Sequence, residues 1–155
     1  MSPRLPAPPF TWTTAANKVR IIEDHWNSQK PAHVALSYTI DSFWRSGVEF
    51  LSGRTAIEAF LTSKWSRQLE YRVIAELWAF AGNRIASRFA SEYHDIDGNW
   101  FRSYGNEHWE IDSDGLIQRR IESFNNQSIK EADRVLRWPI GRRPEDHPEL
   151  SDFDL

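Results

Sequence analysis

The sequence predicts an α+β domain, in which three helices precede a four-stranded antiparallel sheet. Two observations support this fold class. Apolar residues recur at helical spacing up to about residue 68, and no helical stripe is present beyond that point. After residue 70, short stretches rich in Gly, Asn and Asp divide the chain into segments of strand length, as in a series of hairpins. A length of 155 residues suits one domain with a core of its own.

Caps and spacing place the first and third helices. Thr13 or Thr14 can cap the first helix, which is expected to run to about Ser28. Its inward stripe consists of Ala15, Val19, Ile22 and Trp26. The third helix is expected over residues 54–68. One of its sides carries Ile57, Phe60, Leu61, Lys64 and Trp65.

Between these helices we expect a short helix and a short strand. Pro31 suits the first turn of a helix, where its missing N–H is not needed. This second helix would turn Val34, Ala35 and Tyr38 inward and end at residues 41–42. Residues 43–45 are expected to form a short strand, and the glycines of residues 46–53 predict a loop.

Four longer strands follow the third helix. They are expected over residues 71–80, 85–94, 100–111 and 116–126, with turns between them. The chain is thereby divided into an extended N-terminal arm (1–12), a folded domain (13–138) and a tail (139–155). Because proline and charged residues dominate the tail, we expect it to lie over the surface.

The composition excludes several classes of function. Cysteine is absent, which removes disulfides, thiolate nucleophiles and zinc–cysteine sites. With 19 basic and 22 acidic residues, the net charge of −3 argues against a nucleic-acid-binding face. No apolar run approaches the roughly 20 residues of a membrane span, and no targeting segment is visible, so a cytoplasmic protein is expected. The five histidines lack metal-ligand spacing, and no phosphate-binding loop is present, so neither a metal nor a cofactor is predicted.

The four strands present two different faces. Counting outward from the turns places Phe80 opposite Ile85, Trp78 opposite Ser87, and Glu107 opposite Arg120. One face then carries large aromatic rings around a few ionisable groups: Ile74, Glu76, Trp78, Phe89, Tyr93, Phe101, Glu107, Trp109, Arg120 and Phe124. Beneath the helices these charges would be desolvated, so a buried glutamate there needs a partner such as Arg120. A bulge in one strand would exchange the faces.

The opposite face mixes alanines with long polar side chains. Glu92 and Arg102 form a cross-strand pair on it. Such a flat, wet and self-complementary surface suits a subunit interface better than a closed core.

Several strings carry a family resemblance. They are residues 18–20, 23–28, 76–80, 82–86, 102–110 and 137–144. Together with the element order, they resemble the nuclear transport factor 2-like (NTF2-like) superfamily and, within it, a SnoaL-like bacterial group, domain of unknown function 1348 (DUF1348). The resemblance implies a cystatin-like cone, in which three N-terminal helices pack on a curved, mainly antiparallel sheet of four to six strands. It also implies an open pocket and, in most members, a homodimer through the outer sheet face.

The superfamily includes ketosteroid isomerase. Only some of the functional groups of that enzyme have a counterpart in this sequence. Glu107 matches the carboxylic acid on the third long strand that donates to the oxyanion. Ile22 stands near the position of the tyrosine, and Arg45 and Ser46 stand near that of the general base. Two of the three groups are therefore missing, which argues against isomerase chemistry of that kind. The arginine between two aspartates of limonene epoxide hydrolase has no clear match.

Glu107, Arg120 and Glu76 are the predicted centre of a ligand site, with Glu107 as the candidate catalytic acid or base. The alternative is a buried ion pair that only fixes strand register. The tryptophans either line the pocket or fill the core, and Lys64 either reaches an anion or extends to solvent. The predicted ligand-binding residues are Trp26, Trp44, Lys64, Glu76, Trp78, Phe89, Glu107, Trp109, Arg120 and Phe124.

Two functions follow from this site. The first is a homodimer that holds a small, partly apolar molecule and performs acid–base catalysis of the lyase, isomerase or hydratase type without a cofactor. The second is a non-catalytic binding or assembly module that acts through the outer sheet face. No nucleic-acid or membrane partner is predicted.

Overall fold

The computed structural model describes residues 5–155, so part of the predicted N-terminal arm lies outside the described residues. The three helices are α1 (Trp12–Ser28), α2 (Pro31–Ala35) and α3 (Arg54–Arg67). The six strands are β1 (Tyr38–Ser46), β2 (Glu49–Ser52), β3 (Leu69–Ala81), β4 (Arg84–His94), β5 (Trp100–Ile111) and β6 (Ile117–Ile129). Two short 3₁₀ helices follow, Glu131–Asp133 and Leu150–Phe153. The predicted α+β class is confirmed.

The first helix begins slightly earlier than the sequence indicated. Thr11 is its cap, and the Thr11 hydroxyl accepts a hydrogen bond from the backbone N–H of Thr14. Thr14 in turn accepts the N–H of Thr11, which completes a capping box. The arm therefore ends before residue 12, while the predicted apolar stripe of α1 is buried as expected.

The segment after α2 differs from its prediction. The helix ends at Ala35, and Tyr38 begins a strand instead of facing inward from a helix. Residues 46–53, predicted as a loop, contain β2, which pairs with β1 around a turn at Gly47. Gly47 has φ +60°, a conformation that favours glycine, so a glycine at this position allows the tight turn of the hairpin.

All six strands form one curved sheet in the order β2-β1-β6-β5-β4-β3. Neighbouring strands are antiparallel except β1 and β6, which run parallel. The helices cover the inner face and enclose the main hydrophobic core. Among residues 5–155, no helix combines the length and apolar character needed to cross a bilayer.

Two irregularities change the predicted strand register. Phe80 lies opposite Ile85 as expected, but a bulge between Leu77 and Ala79 places Leu77, rather than Trp78, opposite Ser87. A slip of one residue reverses a side chain's face, so the predicted inner positions of Ile74, Glu76 and Trp78 are wrong. In β6 the slip is two residues. Glu107 therefore lies opposite Glu122, and Arg120 lies opposite Trp109 on the same inner face.

The C-terminal segment, residues 131–155, packs on part of the outer sheet face. Its buried side chains join outer residues of β3 and β4 in a second hydrophobic cluster, Ile74, Ala90, Leu136, Trp138 and Leu150. The predicted Glu92–Arg102 pair exists, but Glu92 also accepts the backbone N–H of Leu136 at 2.8 Å. This half of the outer face was predicted to be a wet surface, whereas the chain itself covers it.

Side chains of α1 form hydrogen bonds with backbone groups along the free edge of β3. The side-chain amide of Asn27 donates to the carbonyl of Val73 and accepts its N–H, both at 2.9 Å. One carboxylate oxygen of Glu23 accepts the N–H of Ala75 at 2.9 Å, and the other accepts from Arg143 of the C-terminal segment at 3.1 Å. Helix, edge strand and C-terminal segment are thus joined by buried polar contacts.

Candidate functional site

Two carboxylates share one arginine on the inner sheet face. The pairing of β5 with β6 sets Glu107 opposite Glu122, and the alternation of β6 points Arg120 to the same side. Nε of Arg120 donates to Oε1 of Glu107 at 2.8 Å, and Nη2 donates to the same oxygen. Nη2 also lies 3.1 Å from Oε2 of Glu122. One guanidinium therefore bridges two acids, a group we call the Glu–Arg–Glu cluster.

Aromatic rings enclose this cluster. The Arg120 guanidinium lies 4.4 Å from the ring centroid of Trp44 and 4.8 Å from that of Trp26, and Arg120 is only 1 % exposed. Nε1 of Trp109 donates to Oε2 of Glu107 at 3.1 Å. Within residues 5–155, the buried Nη1 of Arg120 has no hydrogen-bond partner. A buried donor of this kind can accommodate a water or a ligand oxygen.

The pKa values of the two carboxyl groups are shifted in opposite directions. Burial raises the pKa of Glu107, and the charge of Glu122 adds to this effect while Arg120 opposes it. Burial also acts to raise the pKa of Glu122, but the charges of Arg120 and Lys64 and the hydrogen bond from Ser46 outweigh it, so this pKa is lowered. The hydroxyl of Ser46 donates to Oε2 of Glu122 at 2.6 Å. The cluster thus contains one carboxyl that tends to keep its proton and one that tends to lose it.

Two adjoining cavities lie between the helices and this face. The inner cavity measures about 30 Å³, enough for roughly one water molecule, and the whole cluster lines it. The mouth measures about 220 Å³ and shares Tyr71, Phe89 and Glu122 with the inner cavity. Other residues of the mouth include Ser46, Phe60, Lys64, Ser91, Ser103 and Phe124.

Lys64 places an ammonium group at the mouth. Its Nζ lies 5.2 Å from the ring centroid of Tyr71. Burial lowers the pKa of Lys64 to about 8, against the raising effect of the Glu122 carboxylate. The side chain is therefore held near the pocket rather than extended freely into solvent.

Gly105 shapes the wall between the two cavities. It lies between Phe89 and Phe124 on the neighbouring strands. A Cβ atom at this position would lie 2.3 Å from the Phe89 ring and 2.9 Å from the carbonyl oxygen of Ser123. Only glycine allows the Phe89 ring to lie directly against β5, so Gly105 fixes where this wall stands.

The structure brings together most of the predicted site residues. Trp26, Trp44, Phe89, Glu107, Trp109 and Arg120 lie in or beside the inner cavity, and Lys64 lies at the mouth. Phe124 lies at the rim and is 40 % exposed. Whether these residues bind a ligand remains a prediction.

Glu76 and Trp78 do not belong to the inner face. The carboxylate of Glu76 accepts the backbone N–H of Ser151 at 3.0 Å, and Trp78 is 69 % exposed. The bulge in β3 is the physical reason for this correction, because the residues before it pair one position away from the regular register.

Sequence reasoning missed Glu122, Tyr71 and Ser46. Glu122 follows Arg120 by two residues in a strand, so simple alternation could have placed it on the same face. Arg120 does contact two acids, but both are glutamates, Glu107 and Glu122, so the expected lack of an arginine between two aspartates stays a prediction.

A larger cavity lies elsewhere, on the open half of the outer sheet face. This groove measures about 470 Å³, and its lining includes Ala79, Ala81, Ala86, His108 and Ile121. The charged side chains around it, such as Arg84 and Arg119, are exposed. We place the candidate site at the smaller inner cavity, because ionisable groups are buried together there. Across residues 5–155, no group of three or more His, Asp or Glu side chains is arranged to hold a metal ion.

Comparisons with known proteins agree with the fold. A family model described as "Protein of unknown function (DUF1348)" matches residues 8–137, most of the chain. The chain belongs to the DUF1348 family. The predicted resemblance, which named the same family, is confirmed. No curated protein matches this DUF1348 chain.

Solved structures show the NTF2-like fold for the DUF1348 chain. An epoxide hydrolase/cyclase-like enzyme, SalBIII, described for pyran ring formation in the polyether salinomycin, matches with a TM-score of 0.65 and 15% identity over 73% of this chain and 92% of its own. An NTF2-like protein of unknown function from Burkholderia pseudomallei matches with a TM-score of 0.64 and 14% identity, over 72% and 90%. A protein with a ketosteroid isomerase-like fold from Catenulispora acidiphila, in complex with trimethylamine, matches with a TM-score of 0.59 and 12% identity, over 65% and 79%. At these identities the similarity extends to the fold alone.

Proposed function

We propose that this chain is an acid–base enzyme of the lyase, isomerase or hydratase type, acting on a small, partly apolar molecule bound between the helices and the sheet. Glu107 serves as the general acid and Glu122 as the general base. The observation that carries the proposal is the Glu–Arg–Glu cluster, buried among aromatic rings at the floor of a cavity.

The environment of each carboxyl suits its role. A donor and an acceptor that work at one pH need pKa values on either side of it. Burial raises the pKa of Glu107, and the surrounding cations and Ser46 lower that of Glu122. Oε2 of Glu107 accepts one N–H from Trp109, which leaves its second lone pair to carry a proton. Within the described part of the chain, Oε1 of Glu122 has no hydrogen-bond partner, and Glu122 borders both cavities.

Together the two groups can move protons in opposite directions on one molecule. Glu107 lines only the inner cavity, so it gives its proton through the one water that this cavity can hold to an oxygen of a substrate in the mouth. Glu122 borders both cavities and removes a proton from a carbon, a hydroxyl or a water. The same two roles suit opening of an epoxide by a hydroxyl group, and SalBIII is described as epoxide hydrolase/cyclase-like. This likeness supports addition and elimination chemistry as the reaction class to test first.

Turnover of a small compound panel tests this proposal. We would incubate the protein with styrene oxide, cinnamate and phenylpyruvate in isotopically labelled water and follow products and label by NMR and mass spectrometry. At least one compound should react. Glu107→Gln and Glu122→Gln should each lower its kcat by about 10²–10⁴-fold, the usual contribution of a general acid or base. The rate should fall as pH rises through the raised pKa of Glu107, and also as pH falls through the lowered pKa of Glu122.

Glu110→Gln is the matched control. Glu110 lies on the same strand, but it faces the outer groove and accepts a hydrogen bond from Gln118. Its substitution should leave kcat within twofold of wild type. Unchanged turnover in Glu107→Gln would contradict the proposed acid, and a panel that binds without reacting would favour the non-catalytic binding module instead.

The groove on the outer face favours a second proposal, a homodimer formed through this surface. The C-terminal segment covers only one half of the face, and the other half keeps a groove with Ala79, Ala86 and Ile121 in its lining. Light scattering after size exclusion should give twice the mass of one chain at about 100 µM protein. Ala86→Asp should shift the mass toward the monomer, because it places a charge in an apolar contact. A monomeric wild type at that concentration would reject the dimer, and Ala32→Asp, at an exposed position of α2 away from the outer sheet face, is the control.

A further inference from the structure

We propose that the ligand of this pocket carries a carboxylate, which Lys64 binds at the mouth, while the apolar part of the ligand lies among the phenylalanine rings there. The juxtaposition of an unpaired ammonium group with three phenylalanines carries this inference. It rests on the proposed function in two respects, namely that a small molecule enters this pocket and, for the charge count below, that Glu107 holds its proton.

Lys64 is half-buried and differs from the fully buried Lys18 in lacking a partner. Lys18 is fully buried, and its Nζ donates to the carbonyl of Gly115. Among residues 5–155, the ammonium of Lys64 forms neither a hydrogen bond nor an ion pair, and it lies over the face of the Tyr71 ring. Oε2 of the neighbouring Glu122 already accepts from Ser46 and binds Arg120. A cation in this position can therefore pair with an anionic group that the ligand supplies.

The charges around the pocket leave room for one negative charge. When Glu107 holds its proton, as its role in the proposed function requires, the charges that the Glu–Arg–Glu cluster and the mouth carry inside the rim are those of Glu122, Arg120 and Lys64. Their sum is +1. On the rim, Glu49 and Arg67 are exposed and cancel each other. A ligand carboxylate at Lys64 would make the pocket electrically neutral.

The other lining residues define the rest of the ligand. Phe60, Phe89 and Phe124 supply apolar surface in a lining whose other residues are mostly polar, such as Gln68 and Asn126. The hydroxyl of Tyr71, which makes no hydrogen bond to the described residues, can donate to a second carboxylate oxygen or to a neighbouring hydroxyl. A mouth of about 220 Å³ is smaller than the roughly 300–1,000 Å³ of drug-sized pockets. These features fit a short carboxylic acid with an aryl or alkyl group.

Calorimetry with matched acids and amides tests the inference. The probes are benzoate, phenylacetate and 3-phenylpropionate, each compared with its uncharged amide. At least one acid should bind wild type ten times or more tightly than its amide. Lys64→Met, which keeps most of the length of the side chain and removes its charge, should abolish that preference, and Lys64→Arg should retain most of it. Lys30→Met, at an exposed lysine, is the control and should bind like wild type.

Each outcome bears on the inference separately from the proposed function. If no acid binds more tightly than its amide, or if Lys64→Met keeps the preference, the carboxylate inference is wrong, whatever the turnover measurements show. If the preference depends on Lys64 but no panel compound reacts in a Glu107-dependent way, the proposed catalysis is wrong and the carboxylate site stands. Thermal melting of each variant confirms that a lost preference does not come from unfolding.

Discussion

Replacing Arg120 with methionine should lower the free energy of unfolding by about 3–5 kcal/mol, the loss expected when one partner of a buried ion pair is removed. The substitution leaves the carboxyl groups of Glu107 and Glu122 buried without their shared cation. Lys64 stands nearby but forms an ion pair with neither, so it does not replace Arg120. Urea denaturation at pH 7, compared between wild type and variant, measures the loss.

Arg119→Met is the control for this experiment. Arg119 is the adjacent residue in β6, but it is exposed on the outer face, where its guanidinium lies 5.1 Å from the ring centroid of Phe43. Its substitution should change the free energy of unfolding by no more than about 0.5 kcal/mol. A loss below about 1 kcal/mol in Arg120→Met itself would show that the cluster is far more hydrated than its burial indicates.

The effect of Arg120→Met should also depend on pH. Without the arginine, burial and mutual repulsion hold both carboxyl pKa values in the folded variant above those of the unfolded chain. The folded variant then binds more protons than its unfolded form, so its stability rises as pH falls. The difference from wild type should be largest near pH 7 and should narrow toward pH 4. Adding Glu107→Gln and Glu122→Gln to the variant should recover much of the loss at pH 7.

Leu136→Ala should cost about 2–5 kcal/mol, although Leu136 lies outside every helix and long strand. Its side chain is fully buried against Ile74 and Ala90 of the sheet, where the C-terminal segment forms the second hydrophobic cluster. Alanine would leave a cavity that the rigid strands cannot close. Chemical denaturation measures the change, and it should affect the transition of the whole domain rather than a separate unit.

Ile140→Ala provides the matched comparison. Ile140 belongs to the same segment but is 68 % exposed, so its truncation should change stability by about 0.5 kcal/mol or less. If Leu136→Ala were as mild as Ile140→Ala, the segment would not be part of the folded core, and the outer sheet face would be open along its whole length.

The sequence predicted where the helices and long strands lie, but it did not predict how the strands pair with one another. Threonine caps, helical spacing and turn residues are local signals, and they placed α1, α3 and the four long strands within a few residues of their observed bounds. A bulge is set by packing across strands, which leaves no local signal at Trp78. The single-residue slip there sent Glu76 to the wrong face, whereas the two-residue slip in β6 left Arg120 on the correct one.

The sequence did not predict that the C-terminal segment covers part of the outer sheet face, and the reason is a different one. Leu136, Trp138 and Leu150 follow neither a helical nor a strand period, so nothing in their spacing indicates a buried surface. The proline and charged residues after residue 138 instead suggested a tail over residues 139–155, which contains Leu150. The buried carboxylate of Glu92 accepts hydrogen bonds from the backbone N–H groups of Val135 and Leu136. No signal in the sequence indicates that these distant residues are in contact.

The polar contacts between α1 and the edge of β3 have a consequence for the motions of the native state. The amide hydrogens of Val73 and Ala75 point away from the sheet, yet Asn27 and Glu23 hold them. Exchange of these two hydrogens with solvent deuterium therefore requires the helix to detach, rather than simple fraying of an outermost strand. Because Arg143 binds the same Glu23, release of the C-terminal segment would remove one partner of the carboxylate that holds the Ala75 hydrogen, whereas the hydrogen of Val73 would stay bound to Asn27.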